Sequence, residues 1–169
     1  MHCDLNASCR LALAVLLPFL NGTIAFTQAS EHRTHGVVEW YADLTGAKDS
    51  SHVLAEAVQT LATGKATVSF DFSQQTAAFK VEAREIKGVQ KIELREARER
   101  GDISGPTILT IYDAKNGPFP GTITKTIAHQ AFNQLKGPVL NGQGVVVVTT
   151  TTHPDGEIAG IITMHKRYE

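Results

Sequence analysis

The order of apolar and polar positions along this chain favours strands over helices. From Gly64 the period is two: Ala66, Val68, Phe70 and Phe72 alternate with Lys65, Thr67, Ser69 and Asp71. Successive side chains of an extended chain point to opposite faces, so this run carries one apolar face and one polar face. A polar break follows at Ser73-Gln74-Gln75. Ala77, Phe79, Val81 and Ala83 then alternate with Ala78, Lys80, Glu82 and Arg84. Two such runs across a short polar break predict a hairpin. Near residue 145 the pattern changes. Val145-Val146-Val147-Val148, preceded by Gly144 and followed by Thr149 to Thr152, is β-branched on both faces, which predicts a central strand buried on both sides in its first half. His153-Pro154-Asp155-Gly156 supplies turn chemistry: proline presets φ and glycine accepts a positive φ. Glu157 to Met164 returns as the last strand.

Val37 to Leu44 is a first strand, with Trp40 and Tyr41 supplying large apolar surface. Val53, Leu54, Ala57, Val58 and Leu61 fall at helical spacing after Ser50-Ser51, which predicts a short helix within 46–63. Val89 to Arg100 suits either a strand, through Ile92 and Leu94, or a helix laced by seven charges; the neighbouring hairpins favour the strand. Thr107 to Tyr112 is rich in β-branched residues and predicts a strand with both faces covered. Asn116-Gly117-Pro118 marks a turn, Thr122 to Thr126 a short strand, and Ile127 to Leu135 one or two helical turns. Seven or eight short strands at this spacing indicate a mainly all-β fold. The expected architecture is an antiparallel β-sandwich, Ig-like or superoxide-dismutase-like, with one or two short helices.

The first residues carry a different pattern. Arg10 precedes an apolar run from Leu11 to Leu20 that is about half the ~20 residues a bilayer core requires. Thr23 and Ala25 are small residues at the positions a signal peptidase reads, and Thr27 and Ala29 offer a second site. This order predicts a signal peptide over 1–25, cleaved after Ala25, followed by an N-terminal tail over 26–36 and one β domain over 37–169. Both cysteines, Cys3 and Cys9, and both Asn-x-Ser/Thr triplets, at Asn6 and Asn21, fall inside the leader. The exported domain would then be held without disulfides. Its charge is balanced: 16 basic and 17 acidic residues give −1, and losing Arg10 and Asp4 leaves that value unchanged. Such balance argues against nucleic acid as a partner, and no stable membrane insertion is expected after cleavage.

Three stretches resemble the CHRD domain, the repeat first named from chordin. They are Leu44-Thr45-Gly46-Ala47-Lys48, Ala62 to Asp71 with its Ala-Thr-Gly start, and Thr151-Thr152-His153-Pro154-Asp155-Gly156-Glu157-Ile158-Ala159-Gly160. The last is similar to the family's P-x-G-E-I-R-G hairpin. Their order and separations match the family over about residues 37–166. The resemblance implies an antiparallel β-sandwich in a secreted protein and brings no established active site. Two departures stand out. Where family members carry A-H-I-H-G, this chain has Lys91-Ile92-Glu93-Leu94-Arg95-Glu96, and Ala159 replaces the arginine of the hairpin motif. A metal or polar site built on those histidines is therefore not implied here.

Candidate chemistry is sparse. His32, His35, His52, His129, His153 and His165 are scattered, with no His-x-His pair, whereas zinc or copper needs three or four converging ligands. No Gly-x-Ser-x-Gly is present. Glu82 with Glu85, and Glu93 with Glu96, sit among Lys and Arg and read as self-neutralised faces. Asp155-Gly156-Glu157 falls short of the six to eight oxygens calcium takes, so Glu157 is expected to serve the hairpin, bonding a neighbouring strand's backbone. The charged run remains. Lys91, Glu93, Arg95 and Arg98 form a candidate partner-binding face, or alternatively an edge strand defended against aggregation. Its alternating signs suit an extracellular protein or glycan better than a polyanion. The expected function is an exported, non-catalytic binding module without a cofactor; the alternative is an exported metal-binding protein or enzyme of superoxide-dismutase-like architecture.

Overall fold

The computed structural model describes residues 37–46, 58–98 and 102–164. The expected leader with its Ala25 cleavage site, the tail, and most of the helix expected within 46–63 lie outside the described residues. Eight strands are formed: β1 (Val37–Thr45), β2 (Thr63–Asp71), β3 (Thr76–Arg84), β4 (Val89–Glu96), β5 (Thr107–Asp113), β6 (Thr122–Ala128), β7 (Gly144–Thr150) and β8 (Ile158–Ile161). One α-helix, α1 (His129–Leu140), lies between β6 and β7, and a 3-10 turn spans Ala114–Asn116.

All strand pairs are antiparallel, in the order β5-β4-β7-β8-β1-β2-β3-β6. The single sheet curls until its end strands, β5 and β6, touch. It is nearly a barrel, and opposite strands face one another across one core as the layers of a sandwich do. No backbone ladder joins β5 to β6 in this order; instead the Lys125 ammonium on β6 donates to the Thr110 carbonyl on β5 at 2.5 Å.

Period-two alternation sets the register of the hairpin. Val68 lies opposite Phe79, and Phe70 opposite Ala77, all on the interior face. Burying a Phe or Val side chain of this kind stabilises by about 1.5–3 kcal/mol. Phe72, expected to continue the strand, lies instead in the turn and is 40% exposed, because Asp71 ends the ladder. The Asp71 carboxylate accepts from the Ser73 amide at 2.9 Å, the Ser73 hydroxyl at 2.6 Å and the Gln74 amide at 2.9 Å. That is the local side-chain capping that turns chains at Asp.

β7 is buried along its whole length, further than the first half that its β-branched sequence predicts. Val146 and Val148 face the main core, while Val145 and Val147 join Ala97, Ile103 and Ala159 in a second cluster on the outer face. β5 is different from expectation. It is an end strand, and only Ile111 and Tyr112 are buried while Ile108 and Leu109 are partly so. The helix is also longer than its sequence suggests. Gly137 and Pro138 are poor helix formers, yet Phe132, Leu135 and Val139 bury one face of α1 against strands from both ends of the sheet order. The Phe132 ring meets those of Phe70 and Phe72 edge-on at 5.7 and 5.9 Å. Tertiary packing overrides propensity here.

Candidate functional site

β4 runs between β5 and β7, so its charges do not guard an edge; that alternative is overturned by the strand order. Ile92 and Leu94 point into the core opposite Val148 and Val146. Their alternates, Lys91, Glu93 and Arg95, therefore share the outer face, opposite Thr149, Val147 and Val145. The three charged side chains stand in very different surroundings. Lys91 is 48% exposed, Arg95 17% and Glu93 only 8%.

Burying a carboxylate is costly unless it is paired and hydrogen-bonded. Arg95 provides the pair. Its Nε and Nη2 both donate to Glu93 Oε2, at 3.1 and 2.7 Å, and its Nη1 donates to the Ile103 carbonyl at 3.1 Å. Arg95 thus ties the strand to the segment that follows it. Glu93 Oε1 receives no hydrogen bond among the described residues. Its closest cation, Lys91 Nζ, stands at 3.9 Å, beyond hydrogen-bond reach.

An open pocket of ≈ 240 Å³ lies over this row. Gln90, Lys91, Glu93 and Arg95 line it from β4, and Thr149, Thr150 and Pro154 line it from the β7–β8 hairpin. Arg98 is exposed, lies past the end of β4, and is not part of this lining. It stands beside Asp102, whose carboxyl is held below its usual range by the Ser104 hydroxyl and amide first and by Arg98 to a lesser degree.

The hairpin that forms the second wall is held from within. The Gly156 amide donates to the His153 carbonyl at 3.2 Å, and Gly156 has φ +138°, the region that favours glycine. Glu157 is buried; its Oε2 accepts from the Thr150 hydroxyl at 2.8 Å and its Oε1 from the Thr60 hydroxyl at 2.7 Å. The expected backbone acceptor role of Glu157 is thus replaced by a clamp on two threonine hydroxyls. With both oxygens engaged, the turn does not offer two carboxylates to calcium. The clamp also gathers the three sequence stretches singled out above. Thr45 pairs with both Thr63 and Ala159, and the Gly46 carbonyl accepts from the Val58 amide at 2.8 Å, two residues before Thr60.

Sequence reasoning found Lys91, Glu93 and Arg95 through their charge. It missed Gln90, Thr149, Thr150 and Pro154 as neighbours, because only the β4–β7 register brings them together. The scattered histidines are not assembled where they can be followed. His129 opens α1 and His153 lies in the hairpin turn, while His32, His35, His52 and His165 lie outside the described residues. Among the described residues no three His, Cys, Asp or Glu side chains are grouped to hold a metal ion. Glu82 is paired with Lys80, whose hydrogen bond and charge hold its carboxyl below the usual range.

No curated protein and no solved structure matches the chain. The family model of the CHRD domain matches residues 40–162, which takes in β2 to β8, β1 from Trp40 onward, and the three stretches joined around Glu157. On the strength of that match, the chain belongs to the CHRD domain family.

Proposed function

We propose that this CHRD domain is an exported, non-catalytic module that binds an extracellular partner, a protein or a glycan, through the polar face of β4. The observation that carries the reading is the pocket in which Lys91, Glu93 and Arg95 meet the β7–β8 hairpin. Two features support it. Lys91, Glu93 and Arg95 are pre-positioned by two paired strands, as binding sites on rigid elements are. The first 25 residues carry the leader pattern of a secreted or periplasmic protein, and among the described residues no helix is long and apolar enough to cross a membrane.

Charge reversal at Lys91 and Arg98 tests this reading without disturbing the core, since both side chains are exposed. Arg95 is unsuitable because its reversal would strip the buried Glu93 carboxylate of its two hydrogen bonds, whereas Lys91 makes none to it and its half-exposed side chain can turn to solvent. The Lys91→Glu/Arg98→Glu variant, immobilised beside the wild type, is exposed to extracellular protein fractions and to a glycan array. Loss of retained material with an unchanged melting temperature is the expected result. Retention equal to wild type would remove the β4 face as the interface.

A further inference from the structure

We propose that the β4 pocket accepts a neutral polyhydroxylated unit, one sugar ring of an extracellular glycan. This rests on the binding role proposed above and narrows it to one ligand chemistry.

Glu93 leaves one carboxylate oxygen without a hydrogen bond among the described residues. Its side chain is more than nine-tenths buried and lines the pocket; Oε2 takes both Arg95 bonds, while Oε1 accepts no hydrogen bond among the described residues and has only the Lys91 ammonium, 3.9 Å away, as an ion partner. Lys91 Nζ, 3.9 Å away, is too far to bond that oxygen and carries three donors. A hydroxyl group placed between them closes both gaps: it accepts from the ammonium and donates to the carboxylate. Only a group that donates and accepts at once can do this. A cation in the same place would face Lys91 and Arg95. An anion would face the open Glu93 oxygen. A neutral polyol meets neither repulsion.

The rest of the wall fits the same ligand. Gln90 uses its amide nitrogen on the Gly88 carbonyl at 3.4 Å and keeps its own oxygen as an acceptor. The Thr149 hydroxyl makes only a long contact, 3.5 Å to the Lys91 carbonyl. Pro154 gives a flat apolar surface for the C–H face of a ring. The volume, ≈ 240 Å³, falls below the ~300–1,000 Å³ of pockets that enclose drug-sized molecules. It suits one ring, with the neighbouring rings of a chain left outside. A single site of this size binds weakly, and a repeating glycan would gain from many such rings in reach.

The test is a titration of the ¹⁵N-labelled chain, followed by amide shifts. The probes are glucose, mannose, N-acetylglucosamine and their disaccharides, with acetate and ethylammonium as the charged arms. At least one neutral sugar should shift the amides of residues 90–95 and 149–153 in a saturable way. Lys91→Met and Glu93→Gln should each weaken that binding about tenfold or more, the loss of one charge-assisted hydrogen bond, while the exposed Lys115→Met leaves it unchanged. Glu93→Gln keeps an oxygen for Arg95; if it nevertheless unfolds, the half-exposed Lys91 variant decides alone. Absence of a saturable shift with every sugar overturns the inference, as does saturation by acetate or ethylammonium instead. If no sugar binds but retention of an extracellular protein is lost in Lys91→Glu/Arg98→Glu, the sugar inference falls and the binding role stands. If neither occurs, both fall.

Discussion

The Thr60 hydroxyl donates at 2.7 Å to Glu157, a residue 97 positions later, and so fixes the segment leading into β2 against the β7–β8 hairpin. Thr60 also caps its own segment, since its hydroxyl accepts from the Ala62 amide at 3.0 Å. Removing the carboxylate strands two donors, the buried Thr150 and the half-buried Thr60. Glu157→Ala is expected to destabilise by about 2–4 kcal/mol, with Glu157→Gln closer to wild type. A fall in the urea midpoint with an unchanged slope would be the signature. A midpoint within experimental error of wild type would show that the clamp is ornamental.

Gly160 occupies a place where a side chain has no room. A methyl group there would lie 2.1 Å from the Asp43 carbonyl oxygen, on the neighbouring strand. Gly160→Ala must push β8 from β1, at a cost of about 1–3 kcal/mol or more. Faster hydrogen exchange at Tyr41 and Thr163, whose amides donate to each other's carbonyls at 2.9 and 2.8 Å, should accompany the loss. Wild-type exchange at both amides would contradict this account.

Arg95 and Glu93 stabilise one another only as a pair. Arg95→Met leaves the carboxylate buried without its cation and should cost about 3–5 kcal/mol. Arg95→Met/Glu93→Leu should recover most of that. Thermal melts of the four chains form a double-mutant cycle, and additivity within ~0.5 kcal/mol would mean the two groups do not couple.

Lys125 closes the seam with a single hydrogen bond to Thr110. Lys125→Met should lower global stability by about 1–2 kcal/mol while raising amide exchange in β5 and β6 more than in β1 and β2. Uniform changes across all four strands would show that the seam is not a separate opening unit.

Asp71 offers a pH signature. Hydrogen bonds from the Ser73 hydroxyl and the Gln74 amide hold its carboxyl below the ordinary aspartate range. A carboxyl lowered in the folded state contributes stability that is fully present above its unfolded value and lost as pH falls through the folded value. The advantage of wild type over Asp71→Asn should therefore shrink below about pH 3.8. Urea midpoints measured from pH 2 to 6 would reveal it, and a constant difference across that range would exclude it.

The strands with strict alternation were legible because each residue's neighbours in sequence report its face: β2 and β3 follow the period-two rule from end to end. β7 was legible through the opposite signal, a run with no polar face. α1 was obscured by Gly137 and Pro138, since local propensity spoke against the helix and burial of Phe132, Leu135 and Val139 spoke for it. The binding row was half legible. Lys91, Glu93 and Arg95 announce themselves by charge, but their different burial depends on β7 alongside and on the segment around Ile103, which alternation cannot report. Thr60 and Thr150 carry no signal of their own, because a threonine gains its role only from the carboxylate it meets.

The place of β8 between β7 and β1 sets an order of events for a growing chain. Trp40, Ala42 and Leu44 belong to the main core, yet one edge of their strand stays vacant until residues near 160 have been made. A hairpin such as β2–β3 can form as soon as it emerges, whereas the first strand must wait for the last. Distant pairings of this kind fold slowly and expose apolar surface meanwhile. The nascent domain therefore passes through a stage in which its N-terminal sheet is built but unclosed, and that stage is where holding factors or aggregation would compete for it.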